Sequence, residues 1–110
     1  MTVAVDCYVA TKPFPREEQF GLTTQIRRAA TSIPADIAEG FGRETTATFI
    51  HFLHIAQGSQ KELETHVLLA ERVGLLTSEA AAPLLRDVES ISRMLRNLIR
   101  SLLARQSAAD

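Results

Sequence analysis

The feature that most constrains this chain is a regular spacing of mostly apolar residues between positions 49 and 70. The gaps alternate between four and three residues through Phe49, Leu53, Ala56, Gln60, Leu63, Val67 and Ala70. A second run repeats this spacing at Leu84, Val88, Ile91, Leu95, Leu98 and Leu102. Such gaps place every member on one side of an α-helix and are typical of helices in left-handed bundles. The two runs predict two long helices that pack together.

Two further helices precede them. The first is predicted at about residues 2–12, because Pro13 and Pro15 cannot continue a helix. The second is predicted to begin after Pro15 and to end near position 41, with Gly40 and Gly42 as a left-handed stop. Its apolar stripe comprises Leu22, Ile26, Ala29, Ala30, Ile33, Ile37 and Phe41. No segment alternates like a half-buried strand.

The ends of the two long helices carry recognisable signals. Thr45 or Thr46 is suited to cap the third helix, and Gly74 to end it. Thr77 or Ser78 could open the fourth, although Pro83 predicts that its regular part begins only near residue 82. Residues 105–110 are expected to fray.

Short connections between these helices favour antiparallel neighbours. We therefore predict an all-α, antiparallel up-down-up-down four-helix bundle that forms one domain over residues 1–110, with a short first helix. The composition of 45% hydrophobic and 23% charged residues is that of a globular domain. One cysteine, Cys7, and no signal-peptide pattern favour a cytoplasmic protein.

The predicted helices carry more apolar residues than one stripe needs. The surplus on helices three and four consists of Ile50, Phe52, Ile55, Leu69, Leu85, Ile99 and Leu103. Either each helix contacts two neighbours, or part of this surface is buried against another subunit. Gly58, in the middle of the third helix, is interpreted as a close-packing position, because glycine there costs about 1 kcal/mol relative to alanine.

A polar row accompanies the apolar stripe of the second helix. It consists of Gln25, Arg28, Ser32, Asp36, Glu39 and Arg43, and Glu39 and Arg43 are spaced to form an ion pair. The row is either a solvated face or a polar seam between subunits that sets their register.

The sequence contains no recognisable set of catalytic, cofactor-binding or metal-binding residues. It has no phosphate-binding glycine loop, and Cys7 lies on the apolar side of its helix. Helical geometry turns His51 and His54 away from the core, so we interpret them as surface residues rather than as ligands of a metal-dependent bundle enzyme. We predict no catalytic, cofactor-binding or metal-binding residues, no cofactor, no small-molecule substrate and no membrane partner.

The fourth helix offers the better functional hypothesis. Arg86, Arg93 and Arg100 recur every seven residues and Arg96 falls on the same side, although Asp87 and Glu89 dilute the row. Ten of the twelve basic residues are arginine, the side chain suited to bidentate phosphate contacts. We call these four residues the arginine stripe. It is either a charged solvent face or a nucleic-acid contact that repetition in an oligomer would strengthen.

Two long motifs resemble a known family. They are FGLTTQIRRAATSIPADIAEGFGR at residues 20–43 and FLHIAQGSQKELET at residues 52–65. With the sequence around them, from Phe14 to about Leu103, they resemble the bacterial 23S rRNA intervening-sequence proteins, which are related to accessory proteins of diversity-generating retroelements. The family commonly has asparagine in place of Asp36, and its first helix is usually longer, which leaves open whether Met1 is the true start.

The resemblance implies an up-down bundle that assembles into five-fold rings, with RNA, DNA or a nucleic-acid enzyme as partner. The resulting hypothesis is a non-enzymatic, self-assembling scaffold, a pentamer, that binds nucleic acid or nucleoprotein weakly through the arginine stripe. The alternative is a protein–protein interaction module without nucleic-acid binding, in which the arginines only contact water. A metal-dependent bundle enzyme is the least favoured hypothesis.

Overall fold

The structure, a computed structural model, describes residues 1–18 and 21–109. Within these ranges the chain forms four α-helices and one 3-10 turn, and no strand: α1 Thr2–Thr11, the 3-10 turn Arg16–Glu18, α2 Leu22–Phe41, α3 Thr46–Arg72 and α4 Ser78–Ala109. The all-α prediction is confirmed. Phe20, at the start of the first motif, and Asp110, at the end of the tail, lie outside the described residues.

The helices pack in chain order. α2 packs against α3, α3 against α4, and α1 against both α2 and α4. One apolar cluster joins α1, the first half of α2, the second half of α3 and the first half of α4. A second cluster joins the first half of α3 to the second half of α4, with Ile37 of α2 at its edge. No residue of α1 takes part in the second cluster, because α1 has ten residues and α4 has 32.

The regular spacing in α3 identifies its buried side. Leu53, Leu63 and Val67 are completely buried, and burying such a side chain stabilises the fold by about 1.5–3 kcal/mol. Phe49 is only half-buried, and Ile50, which the spacing assigned to the surplus, enters the core instead. Ile99 of α4 is buried as well. Part of the surplus therefore serves this chain's own core.

Phe52 and Leu85 of the surplus are half-buried, and the other three members remain on the surface. Ile55, Leu69 and Leu103 are 41–47% exposed. Phe41, predicted as the last residue of the apolar stripe on α2, is 77% exposed and contacts Phe49 edge to face. That prediction was wrong, because α2 ends at this residue and no helix covers its outer side.

The start of α2 and the predicted glycine stop both differ from expectation. α2 begins at Leu22, because the backbone of Gly21 (φ −106°, ψ −119°) is not helical and separates it from the 3-10 turn. Gly42 has right-handed angles (φ −76°, ψ −5°), so it is no left-handed stop. Gly40 lies within α2 and is buried against Phe49 and Phe52 of α3.

The ends of α3 and the start of α4 follow the sequence more closely. The Thr45 side chain caps α3 by accepting a hydrogen bond from the Thr48 N–H at 3.2 Å. Gly74 follows α3 with a positive φ of 86°. The Thr77 hydroxyl accepts a hydrogen bond from the Ala80 N–H, and α4 begins at Ser78 rather than near residue 82. Pro83 is tolerated because, this near the helix start, it removes a single backbone hydrogen bond.

The molecule is elongated, with extents of 53 × 22 × 18 Å. Its long axis follows from α3 and α4, since 32 helical residues span about 48 Å. None of the helices within the described ranges is long and apolar enough to cross a membrane. α4 continues to Ala109, and fraying of the tail stays a prediction.

Candidate nucleic-acid and subunit interfaces

The arginine stripe lies on the outer side of α4. All four arginines are exposed, while Leu84, Leu95 and Leu102 of the same helix are buried. From Arg86 to Arg100 the stripe extends about 21 Å along the helix. The ion pairs within the described residues are Glu39–Arg43 and Glu62–His66, so no carboxylate there neutralises a stripe guanidinium.

The two acidic neighbours of the stripe differ in position. Asp87 is half-buried and lines a groove against Met1, Thr2 and Val3 of α1. Glu89 is exposed, three residues after Arg86 and four before Arg93, and therefore lies within the stripe. Of these two residues, Glu89 is the one that reduces the positive potential of the outer face directly.

Most hydrogen bonds and ion pairs of the polar row of α2 join members of the row to one another. The Arg28 guanidinium donates to Gln25 Oε1 at 2.8 Å, Ser32 Oγ donates to the Arg28 carbonyl at 2.8 Å, and Arg43 pairs with Glu39 at 2.9 Å. Arg43 also lies 5.2 Å above the ring of Phe52. The predicted ion pair is present. The role of the row as a subunit interface stays a prediction.

Asp36 is the member of the row that forms a hydrogen bond to another helix. Its Oδ2 accepts a hydrogen bond from Ser59 Oγ of α3 at 3.4 Å. Partial burial raises the pKa of the Asp36 carboxyl above its usual 3.8; the Ser59 hydrogen bond lowers it and the nearby charge of Glu39 raises it. The net effect is that the folded chain stabilises the charged carboxylate of Asp36 less well than water does.

The residues that could act as a nucleophile or as metal ligands do not form a common site. Cys7 is fully buried, and burial, followed by the charges of Asp6 and Asp87, raises the pKa of its thiol to about 12. A thiol that stays protonated at neutral pH is a poor nucleophile. His51 and His54 are exposed, as predicted. Across the described ranges, no three His, Cys, Asp or Glu side chains lie together in a way that could hold a metal ion.

One polar surface was missed by the sequence reasoning. A pocket of about 310 Å³, which we call the α3–α4 pocket, opens between these two helices. It is lined by Gln57, Gly58, Gln60, Lys61, Ser92 and Arg96. Gln60 could have been noticed, because a polar residue at a core position of a regular helix pattern calls for a partner. The contribution of Lys61 and Ser92 depends on the relative position of two helices, for which a sequence pattern gives no signal.

The fold and these surfaces define an all-α, four-helix protein. The sequence matches the family described as 23S rRNA-intervening sequence protein over residues 1–97, and the chain belongs to that family. The resemblance of the two motifs is thereby confirmed, and the match includes α1.

A solved structure is similar over most of its length. It is a crystal structure of a protein with unknown function from the S23 ribosomal protein family of Bacteroides thetaiotaomicron. The two chains are 28% identical, the match covers 89% of each, and the TM-score is 0.78. No curated protein matches this sequence.

Proposed function

We propose that this chain is the subunit of a non-enzymatic scaffold, a ring of five identical bundles, that binds RNA or DNA weakly through the arginine stripe. In each subunit the four helices run up, down, up and down. The split of the core supports this orientation, because the first half of α2 packs with the second half of α3, and the first half of α3 with the second half of α4.

Exposed apolar side chains carry the assembly hypothesis. Met1 and, in α1, Val5 and Val9 are 59–84% exposed. Ile55, Leu69 and Leu103 add apolar surface on α3 and α4. Apolar surface of this extent is costly in water and is characteristic of interaction sites. The polar row of α2 would then set the register between neighbouring subunits.

Light scattering after size exclusion at micromolar concentration tests the assembly. We expect a mass of five subunits, and a stable monomer would contradict the proposal. Arg28→Glu reverses one charge of the polar row and should shift the population toward smaller species. Arg86→Glu, an equal change on the outer face of α4, is the matched control and should leave the mass unchanged.

The unneutralised arginines support phosphate binding. RNA affinity should fall with salt, because each arginine–phosphate contact releases counterions. The variant Arg93→Ala/Arg96→Ala/Arg100→Ala should bind more weakly and reduce the log–log slope by about 2. Arg16→Ala/Arg72→Ala/Arg105→Ala removes the same charge elsewhere and should retain most of the affinity and the slope. A slope near zero, or equal losses in the two variants, would argue against the stripe.

The second candidate is a protein-interaction module in which the arginines only contact water. Leu68, Leu69 and Val73 favour it, because they form an exposed apolar surface at the end of α3. A partner protein retained in a pull-down after nuclease treatment, together with a flat salt dependence for RNA, would favour this candidate. Stoichiometric iron, manganese or zinc in the purified protein would instead favour a metal-dependent enzyme.

A further inference from the structure

The lining of the α3–α4 pocket presents hydrogen-bond donors and positive charge. Lys61 of α3 and Arg96 of α4 are both exposed, and neither forms an ion pair with any residue in the ranges 1–18 and 21–109. Among the described residues, none that lines the pocket carries a carboxylate. The adjacent Glu62 carboxylate contacts His66 instead, at 3.4 Å. Two cations on facing helices without a carboxylate between them favour an anion.

Gln60 supplies a donor that the fold leaves unused. The residue is only 1% exposed, and its Nε2 has no hydrogen-bond partner within the described part of the chain. A buried amide without a partner is costly, so such groups in folded proteins usually meet an acceptor. Gln57 adds another donor: when His54 Nδ1 donates to Gln57 Oε1, at 3.0 Å, the Gln57 amide nitrogen remains available.

Gly58 is not explained by the fold of the single chain. Glycine in the middle of a helix destabilises it relative to alanine, and two reasons for keeping one are visible elsewhere in this chain. Gly40 allows close helix approach, and Gly74 adopts a positive φ. Gly58 does neither, since no atom of the described residues outside its own stretch of helix lies within 4 Å of a Cβ built on it. The close packing expected at this position is therefore absent within the chain. Gly58 lines the α3–α4 pocket, so a larger side chain at this position would take up part of its volume.

We propose that the α3–α4 pocket binds one phosphate group of a nucleic-acid backbone. The Arg96 guanidinium and the Lys61 ammonium contact its oxygens, with the Ser92 hydroxyl as a further donor. The Gln60 Nε2, which is buried in the unbound chain, turns toward the phosphate on binding. A phosphate suits this set because its oxygens accept several hydrogen bonds at once and its charge matches the two cations. This inference rests on the proposed nucleic-acid binding, since Arg96 belongs to both the pocket and the arginine stripe.

The test is a titration of the protein with inorganic phosphate, followed by nitrogen–proton correlation spectra. We expect saturable shifts of the Gln60 side-chain amide and of the Gly58 backbone amide. Arg96→Gln and Lys61→Gln should each weaken the apparent affinity about tenfold, as expected for loss of a charged hydrogen bond. Arg105→Gln, at an exposed arginine of α4 outside both the pocket and the arginine stripe, is the matched control and should leave it unchanged.

Three results would overturn the pocket assignment. These are shifts that do not saturate, shifts that sodium chloride reproduces at the same ionic strength, and an equal loss of affinity in Arg105→Gln. Gly58→Leu should fill the pocket and abolish the phosphate response while the helical circular dichroism persists. If it instead altered only the oligomeric mass, the glycine would serve a subunit contact and the proposal would be wrong.

A second titration distinguishes failure of the pocket assignment from failure of the proposed nucleic-acid binding. A dinucleoside monophosphate carries a phosphodiester, and its binding with the same residue dependence as inorganic phosphate supports the nucleic-acid backbone as the source. If inorganic phosphate saturates the pocket while neither the dinucleotide nor RNA binds, the nucleic-acid function fails and a free phosphate is the ligand. If RNA binds equally well to Gly58→Leu and Arg96→Gln, the pocket fails while the rest of the stripe stands.

Discussion

At the scale of single residues, two glycines in the helices have opposite surroundings. A Cβ built on Gly40 would lie 2.6 Å from the Cβ of Phe52 and 3.0 Å from the ring of Phe49. The Cβ of Phe52 is fixed to its backbone and cannot rotate away, so α2 and α3 approach closely only because residue 40 has no side chain. Gly58 has open space at the same point.

Gly40→Ala should therefore lower the free energy of unfolding. Overpacking of a close contact costs about 1–3 kcal/mol, and the better helix propensity of alanine returns about 1 kcal/mol of it. Gly58→Ala is the matched substitution without the clash, and we expect it to stabilise the protein by up to about 1 kcal/mol. Urea unfolding followed by circular dichroism compares the two. Equal stabilities would show that Gly40 is not a packing glycine.

Asp36 gives a prediction about pH. The folded-state pKa of this carboxyl is raised, so the folded chain binds the proton more tightly than the unfolded chain. Asp36 therefore contributes most to stability when the pH is below its usual pKa of 3.8. This contribution is lost as the pH rises through the raised pKa of the folded chain. Asp36→Asn, which can keep a hydrogen bond to Ser59 without the charge, should be more stable than the native chain at neutral pH.

The difference between the two proteins should disappear in acid below the usual pKa of Asp36, and unfolding curves across the acidic range measure it. Glu44→Gln removes one carboxylate from an exposed loop and is the control for net charge. A native chain more stable than Asp36→Asn at neutral pH would mean that the charged hydrogen bond to Ser59 outweighs the cost of burial.

At the scale of elements, α1 is short and its attachment depends strongly on one residue of α2. Arg27 Nε donates to Thr11 Oγ1 at 2.9 Å, and the Arg27 guanidinium lies 4.5 Å above the ring of Tyr8. The Thr11 hydroxyl in turn donates to the Cys7 carbonyl at 2.8 Å. These contacts fix the C-terminal end of α1, while Val3, Ala4 and Cys7 bury its inner side.

Arg27→Ala should loosen α1 without unfolding the other helices. Loss of the cation–π contact, about 0.5–1 kcal/mol, and of the Thr11 hydrogen bond, about 0.5–1.5 kcal/mol, should speed amide hydrogen exchange within residues 2–11. The second apolar cluster contains no α1 residue, so exchange at Leu53 and Leu95 should change little. Arg86→Ala, at an exposed arginine without an ion pair in the described ranges, should leave exchange in α1 unaltered.

At the scale of the whole molecule, the single chain is longer and thinner than a compact domain. Its Cα radius of gyration is 15.6 Å, against about 13 Å expected for a compact chain of this length. The cause is the unequal length of the helices, since α1 accompanies only part of α3 and α4. A thin subunit has much surface for its volume, and that surface includes the exposed apolar residues of α1, α3 and α4.

Small-angle scattering offers a check on the assembly that is independent of mass. We expect a radius of gyration well above 15.6 Å at high concentration, because subunits arranged around an axis lie away from the common centre. Dilution or the Arg28→Glu substitution should return the value toward that of one chain. A radius close to the single-chain value at every concentration would contradict self-assembly.

The division between sequence and tertiary structure is visible in particular residues. Alternating gaps of four and three predicted the buried sides of α3 and α4 correctly at Leu53, Leu63 and Leu95, because the direction of a side chain along one helix depends only on helical geometry. The caps at Thr45 and Thr77 were predictable for the same local reason. The exposure of the arginine stripe also followed, since the opposite face of α4 is apolar.

The features of the surface and core that sequence did not predict depend on where a helix ends or on a second helix. Phe41 is exposed because α2 ends there, and Gly40 is a contact glycine because Phe52 of α3 lies against it. Gln60 lines a pocket because α3 and α4 bring it together with Lys61 and Arg96. The sequence by itself determined the helices, their buried sides and the family. Tertiary structure decided which surplus side chains remain exposed and which polar groups come together, because burial and contact depend on where neighbouring helices begin and end.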